Sequence, residues 1–167
     1  FRVVSGQTGE IWQTDGTSAG TRHSTAFADP SDLQEFAGSL YLTAALSTAD
    51  DSGRALFRIP LSGGDPIPLA RLFRYRYASY PPVQFAQIGD RLLFTVQDQE
   101  LGLEVWSTDG TPDGTRRLRR FERSPDLYGN PELLAAAGDR AFFAASDGVH
   151  GRELWESDGT PEGTRMV

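Results

Sequence analysis

Trp106-Ser107-Thr108-Asp109-Gly110-Thr111-Pro112-Asp113-Gly114-Thr115 occurs twice more in the chain with small changes, as Trp12 to Thr21 and as Trp155 to Thr164. The shared pattern is W-x-[ST]-D-G-T-x-x-G-T. Such a repeat outweighs local propensity in deciding a fold, because each unit buries its apolar face only against its neighbours. The step from Trp106 to Trp155 is 49 residues, and the same step carries Gly89-Asp90-Arg91 onto Gly138-Asp139-Arg140 and Pro82 onto Pro131. Counting back 49 residues from Gly102 reaches Gly53, where Gly53-Arg54-Ala55-Leu56-Phe57 parallels Gly102-Leu103-Glu104-Val105-Trp106 and Pro60 to Pro68 replaces the D-G-T turn. A degenerate second repeat is therefore in phase with the two regular ones that follow it, with approximate units at 1–28 (partial), 29–80, 81–129 and 130–167.

Each unit reads as four short strands. In the last one, Leu133 to Ala137 meets Arg140 to Ala145 across Gly138-Asp139, a Gly-first two-residue link of the type II′ kind. A polar loop, Ser146 to Gly151, leads to a third strand around Glu153-Leu154-Trp155, and D-G-T-x-x-G-T turns it into a fourth from Arg165 onward. Asp158 is placed to accept a backbone N–H two residues on, Gly159 tolerates positive φ, and Thr160-Pro161-Glu162-Gly163 suits a type I turn. Gly, Pro or Asp-Gly interrupts most apolar runs within about eight residues, too soon for the helices of a two-helix repeat. The expected fold is all-β, a β-propeller-like array of four-stranded antiparallel blades with Trp12, Phe57, Trp106 and Trp155 at equivalent positions. The chain starts in what aligns as a second strand and stops just inside a fourth, so further blades from the parent chain or a partner chain are expected.

Glu153-Leu154-Trp155-Glu156-Ser157-Asp158-Gly159-Thr160, with near matches at Glu104 to Thr111 and Glu10 to Thr17, resembles the bacterial repeat family named after its E-L-W-x-x-D-G-T core. The resemblance covers nearly the whole chain. It implies a propeller-like array in a secreted or surface protein, and it transfers no catalytic residue.

Composition narrows the partners. The chain has 16 basic and 23 acidic residues, net −7, so its overall field repels nucleic acid and anionic membrane. No apolar run approaches the roughly 18 residues of a membrane helix, so no direct membrane insertion is expected. With no cysteine, disulfides, thiolate metal sites and thiol nucleophiles are excluded.

Asp15, Asp109 and Asp158 sit in Gly-rich turns, as calcium ligands do. The EF-hand spacing is absent, however, and an Asp before Gly-Thr has a complete use in capping its own turn, so these acids are read as structural and no metal or cofactor is expected. His23 and His150 lie in no H-E-x-x-H or nucleophile-elbow context, and no phosphate loop is present. Trp12, Trp106 and Trp155 share one repeat phase, which favours packing between blades over sugar stacking.

The least regular stretch is Arg71 to Tyr80, with three arginines, four aromatics and no acid. Arg74, Tyr75, Arg76, Tyr77 and Tyr80 are therefore the candidate binding residues, through cation–π and stacking contacts with a protein or glycan. Arg116 to Arg123 holds the same position one repeat later, so basic outer strands are either edge protection or a contact surface. The function this supports is a non-enzymatic extracellular or cell-surface scaffold. The alternative, a glycan-active propeller enzyme, requires paired carboxylates about 5 to 9.5 Å apart in one pocket.

Overall fold

The structure, a computed structural model, describes residues 2–5, 8–48, 51–74, 84–98, 102–121 and 132–167. These form strands and turns with no helix among the described residues: β1 (Arg2–Ser5), β2 (Thr8–Gln13), β3 (Arg22–Phe36), β4 (Ser39–Thr48), β5 (Asp51–Pro60), β6 (Ile67–Arg74), β7 (Phe85–Ile88), β8 (Arg91–Asp98), β9 (Gly102–Thr108), β10 (Arg116–Phe121), β11 (Glu132–Ala137), β12 (Arg140–Ser146), β13 (Arg152–Ser157) and β14 (Arg165–Met166). The ladder order is β1-β2-β3-β4-β5-β6, β10-β9-β8-β7 and β11-β12-β13-β14. The chain divides into two compact units, Phe1–Arg76 and Tyr77–Val167.

In the second unit the expected hairpins form. Ile88 pairs with Arg91 and Ala137 with Arg140, leaving Gly89-Asp90 and Gly138-Asp139 as two-residue links whose glycines have φ of 55° and 62°. Strand alternation gives each sheet two faces. We call the face bearing the motif tryptophan the front and the other the back. Phe94 pairs with Trp106 and Phe143 with Trp155, so both fronts carry an aromatic pair in the same register. The front of β11–β14 supplies Ala141, Phe143, Ala145 and Trp155 to one core with Ile88, Leu93, Val105, Leu118 and Phe121 from the back of β7–β10. Phe121 meets Trp155 edge-on, with centroids 4.8 Å apart. A bulge between Arg117 and Arg119 lets Leu118 and Arg119 face the same way, Leu118 into the core and the Arg119 guanidinium 4.5 Å over the Trp155 ring.

The first unit departs from the expected separate four-stranded sheets. β3 is one strand of fifteen residues. Its N-terminal part up to Ala28 pairs with β2 and its part from Ala28 onward pairs with β4. On a straight strand the levels of Ile11 and Leu42 would be about 8 residues apart, roughly 26 Å. Yet Ile11 packs in one core with Leu42, Ala44 and Ile59, with Phe27, Leu40 and Phe57 against it. The strand therefore turns a corner and the two halves of the sheet stack as layers. Bulges between Ala28 and Ser31 and between Ser31 and Gln34 make the corner, with Asp29 and Asp32 at φ of 45° and 57°. Asp29-Pro30-Ser31-Asp32 bends the strand without releasing it, which is why the first two repeats share one ladder. Arg54, only 6% exposed, holds this corner. It donates to Asp29 Oδ2 at 2.7 Å, to the Asp29 carbonyl at 2.8 Å, and to Ser31 and Thr43. Asp32 Oδ2 completes the network by accepting from Thr43 at 2.7 Å and Ser31 at 2.8 Å.

The two units repeat one packing scheme. Ile11 and Phe27 lie 94 residues before Val105 and Phe121, and Leu42, Ala44 and Phe57 hold the register positions of Phe143, Ala145 and Trp155. Phe27 and Phe57 are 5.0 Å apart, matching the Phe121–Trp155 pair. In both units, then, the front of the later sheet packs on the back of the earlier one.

Candidate interaction surface

The three D-G-T turns are closed hydrogen-bond systems. Asp15, Asp109 and Asp158 each accept through Oδ1 the backbone N–H of the following Thr17, Thr111 or Thr160 at 2.9 Å. The same oxygen accepts that threonine's hydroxyl at 2.7, 2.7 and 2.6 Å. The hydroxyl in turn accepts Gly20, Gly114 or Gly163 N–H. In the last turn Thr164 Oγ1 donates to the Thr160 carbonyl, so the 2.8 Å Ser157–Thr164 contact has Ser157 as donor, and Ser157 Oγ accepts Gly159 N–H. Every fixed letter of the motif after its tryptophan has a partner inside the turn.

The hydrogen-bonded turn lies one residue later than the sequence suggests. Thr115 N–H reaches the Pro112 carbonyl and Thr164 N–H the Pro161 carbonyl, so proline opens the turn. Gly163 has a different use. A Cβ there would be 2.0 Å from Asp158 Oδ1, and the same clash, at 2.0 and 1.9 Å, marks Gly114 and Gly20.

The threonine hydroxyl bond, foremost, holds each of these carboxyls below its ordinary pKa. In the β12–β13 loop Asp147 is held well below the usual range, first by the His150 N–H and then by the His150 ring at 2.7 Å, and that bond raises the His150 pKa. Among the described residues no group of three or more His, Asp or Glu is placed to hold a metal ion.

The tryptophans occupy one repeat phase with two hydrogen-bond arrangements. Trp12 and Trp106 donate Nε1–H to Glu10 and Glu104, two residues earlier on the same face, at 3.0 and 2.9 Å. Trp155, buried under Phe121, donates to the Ala145 carbonyl at 3.1 Å. Glu104 is 3% exposed, and its other oxygen accepts Arg117 at 2.7 Å and Arg120 through two nitrogens at 2.8 and 2.6 Å. This clamp is a group the motif reading missed, although Glu and Trp at i and i+2 on a strand share a face.

Arg74, the first of the five candidate binding residues, ends the β6 backbone; its side chain and Tyr75, Arg76, Tyr77 and Tyr80 lie outside the described residues. The equivalent basic stretch is described. β10 lies at a sheet edge, and Arg116, Arg117, Arg119 and Arg120 are all exposed on it. Among the described residues Glu104 is the carboxylate paired with them, engaging Arg117 and Arg120. A cleft of about 290 Å³ in the first unit is lined by Ile11, Trp12, Gln13, Leu33, Ile59 and Leu61 among others, with no carboxylate among the described lining residues.

No protein-family model matches the chain, and no curated protein matches it. Among solved structures it is similar to the crystal structure of an uncharacterized protein, lmo1340, from Listeria monocytogenes EGD-e, with a TM-score of 0.59 at 12% identity. The likeness covers 99% of this chain and 48% of that one, so this chain spans about half the neighbour's length. At that identity the likeness concerns the fold alone.

Proposed function

We propose that this chain is a non-enzymatic extracellular or cell-surface scaffold of the E-L-W-x-x-D-G-T kind. In this reading the stacked sheets are blades of a propeller-like array, and a protein or acidic glycan partner binds the arginine-bearing edge. The observation that carries it is strand β10. Four exposed arginines line an edge strand against one buried carboxylate, in a chain whose net charge is −7. A local basic strip on an acidic molecule concentrates polyanions where the rest of the surface repels them. The recurrent acids Asp15, Asp109 and Asp158 are already engaged in holding turns, which supports an architectural use for the motif.

The test replaces Arg116 and Arg117 together by Ser, leaving Arg120 on Glu104 and Arg119 on Trp155. Binding to polygalacturonate and to a glutamate-rich peptide, followed by titration calorimetry, should weaken for at least one of them and become less salt-sensitive, with the melting temperature little changed. Unaltered binding to both, or binding by neither variant nor parent protein, would remove β10 as the contact surface.

A further inference from the structure

The joint between stacked sheets is closed in the second unit and hollow in the first. In the second unit the D-G-T turn of β11–β14 is pressed on the sheet before it: a Cβ on Gly159 would stand 3.5 Å from Ser107 Oγ, and Ser107, Ala141 and Ser157 are all 0% exposed. Small side chains let the two backbones close there. In the first unit Gln13 holds the position of Ser107, 94 residues earlier, and the strand register gives Leu40, Ile59 and Leu61 the positions of Ala141, Ser157 and Gly159. These four larger residues hold the layers apart, and with Ile11 and Leu33 they line the cleft of about 290 Å³. Both of its walls come from the stacked halves of one continuous sheet, β2 on one side and β3 past its corner, β4 and β5 on the other.

The geometry points to a binding site for a small uncharged aromatic molecule of about two rings that carries one hydrogen-bond acceptor. The volume is roughly twice the ~150 Å³ of a cavity that holds benzene and falls at the small end of ligand pockets. A slot between two sheet layers takes a flat ring system without prying the layers further apart. No ionisable side chain is among the described lining residues, so a charged guest would lose its hydration with nothing to replace it. The polar contact is Gln13. Arg22 donates to its Oε1 through two nitrogens at 3.3 and 3.0 Å, which turns the amide nitrogen away from Arg22. That nitrogen makes one long bond, 3.4 Å to the Leu61 carbonyl, and its second N–H has no partner among the described residues. The far wall is set before a guest arrives, because Leu33 follows directly on the Asp29–Asp32 corner that Arg54 and Thr43 clamp. The cleft lies in the first unit and β10 in the second, so loss of polyanion binding leaves it intact.

The experiment titrates the whole chain with coumarin, two fused rings with a carbonyl, and with 1-naphthoate, of similar size but charged, each followed by proton NMR. Coumarin should bind saturably and 1-naphthoate at least about tenfold more weakly. Leu33→Trp, at an exposed position, fills the slot with the protein's own indole and should weaken coumarin binding at least about tenfold with the melting temperature unchanged. Gln13→Leu should weaken it about fivefold, the value of one ordinary hydrogen bond. Intermolecular NOEs from coumarin to the methyl groups of Leu33, Leu40 and Ile59 should locate the guest in the parent protein with no substitution at all. No saturable coumarin binding, equal binding of 1-naphthoate, or the absence of those NOEs would each overturn the assignment. Coumarin binding unchanged in either variant would overturn it as well.

Discussion

Replacing Gly163 by Ala tests whether the second glycine of the motif is there for space or for backbone freedom. Its φ is not positive, so alanine is conformationally acceptable and, taken alone, would stabilise by about 0.5 kcal/mol through the unfolded chain. The added Cβ would, however, be 2.0, 2.2 and 2.3 Å from the three Asp158 carboxyl atoms, far inside contact distance, so the carboxylate must swing out. It then loses the Thr160 N–H at 2.9 Å and the Thr160 hydroxyl at 2.6 Å. Asp158 is exposed, so these bonds are worth the lower part of the usual range, together about 1–2 kcal/mol. Gly163→Ala should therefore destabilise by roughly 1 kcal/mol net, and Asp158→Ala by about 1–2 kcal/mol.

The informative quantity is the double variant. Once Asp158 is Ala, the three carboxyl atoms nearest the new Cβ are gone, and Gly163→Ala should turn neutral or stabilising by about 0.5 kcal/mol. Urea unfolding followed by tryptophan fluorescence measures all corners of this cycle. If Gly163→Ala costs the same in both backgrounds, the two residues are uncoupled and the reasoning is wrong.

Three further outcomes are expected. Arg54→Ala should destabilise by about 2–4 kcal/mol, because it removes a buried side chain and the donors on which the Asp29–Asp32 corner closes, and amide exchange should accelerate first in β3. Glu104→Gln should loosen β10 by leaving Arg117 and Arg120 facing a neutral amide, read as lost protection of the β10 amides by hydrogen exchange. For pH, the D-G-T carboxyls have lowered folded pKa values, so their stabilisation is complete above the unfolded value near 4 and is lost as pH falls through the folded values. His150 is the opposite case: its raised pKa contributes below the unfolded value near 6.5 and is lost as pH rises through the folded value, and proton NMR of Asp147→Asn should show it fall.

What the sequence disclosed was what local chemistry and phase encode. Asp158, Gly159 and Thr160 act within a few residues of one another, so their turn was legible without coordinates, and the 49-residue step placed Phe57 with Trp106 and Trp155 although no D-G-T follows it. The turn's phase was misread by one residue, because Pro112 and Pro161 suit the first position of the observed turn as well as the second of the expected one. The corner in β3 was illegible, since its clamp joins Arg54 to Asp29 across 25 residues in the repeat that departs most from the pattern. The β10 surface was half legible: four arginines in a row announce themselves, while Glu104 beneath them is visible only once the strand register is known.

The motif's first glycine shows that the turn is also a joint. Gly159 has a φ of 86°, and a Cβ on it would stand 2.9 Å from Arg91 Cδ, 3.4 Å from Ile88 and 3.5 Å from Ser107 Oγ. The D-G-T turn of β11–β14 is thus pressed on the preceding sheet at Ser107, and Ser107 Oγ is buried with no hydrogen-bond partner among the described residues. Ser107 corresponds to Gln13 of the first sheet, 94 residues earlier. There the following repeat has no D-G-T, its turn runs through Leu61, and the longer Gln13 side chain crosses to the Leu61 carbonyl at 3.4 Å while also accepting Arg22. A small residue thus lies under a glycine turn and a long polar one under a turn that stands off. The position before the motif's Ser or Thr therefore reports on the turn of the next sheet, and the repeat's sequence describes the joint between sheets as much as the hairpin within one.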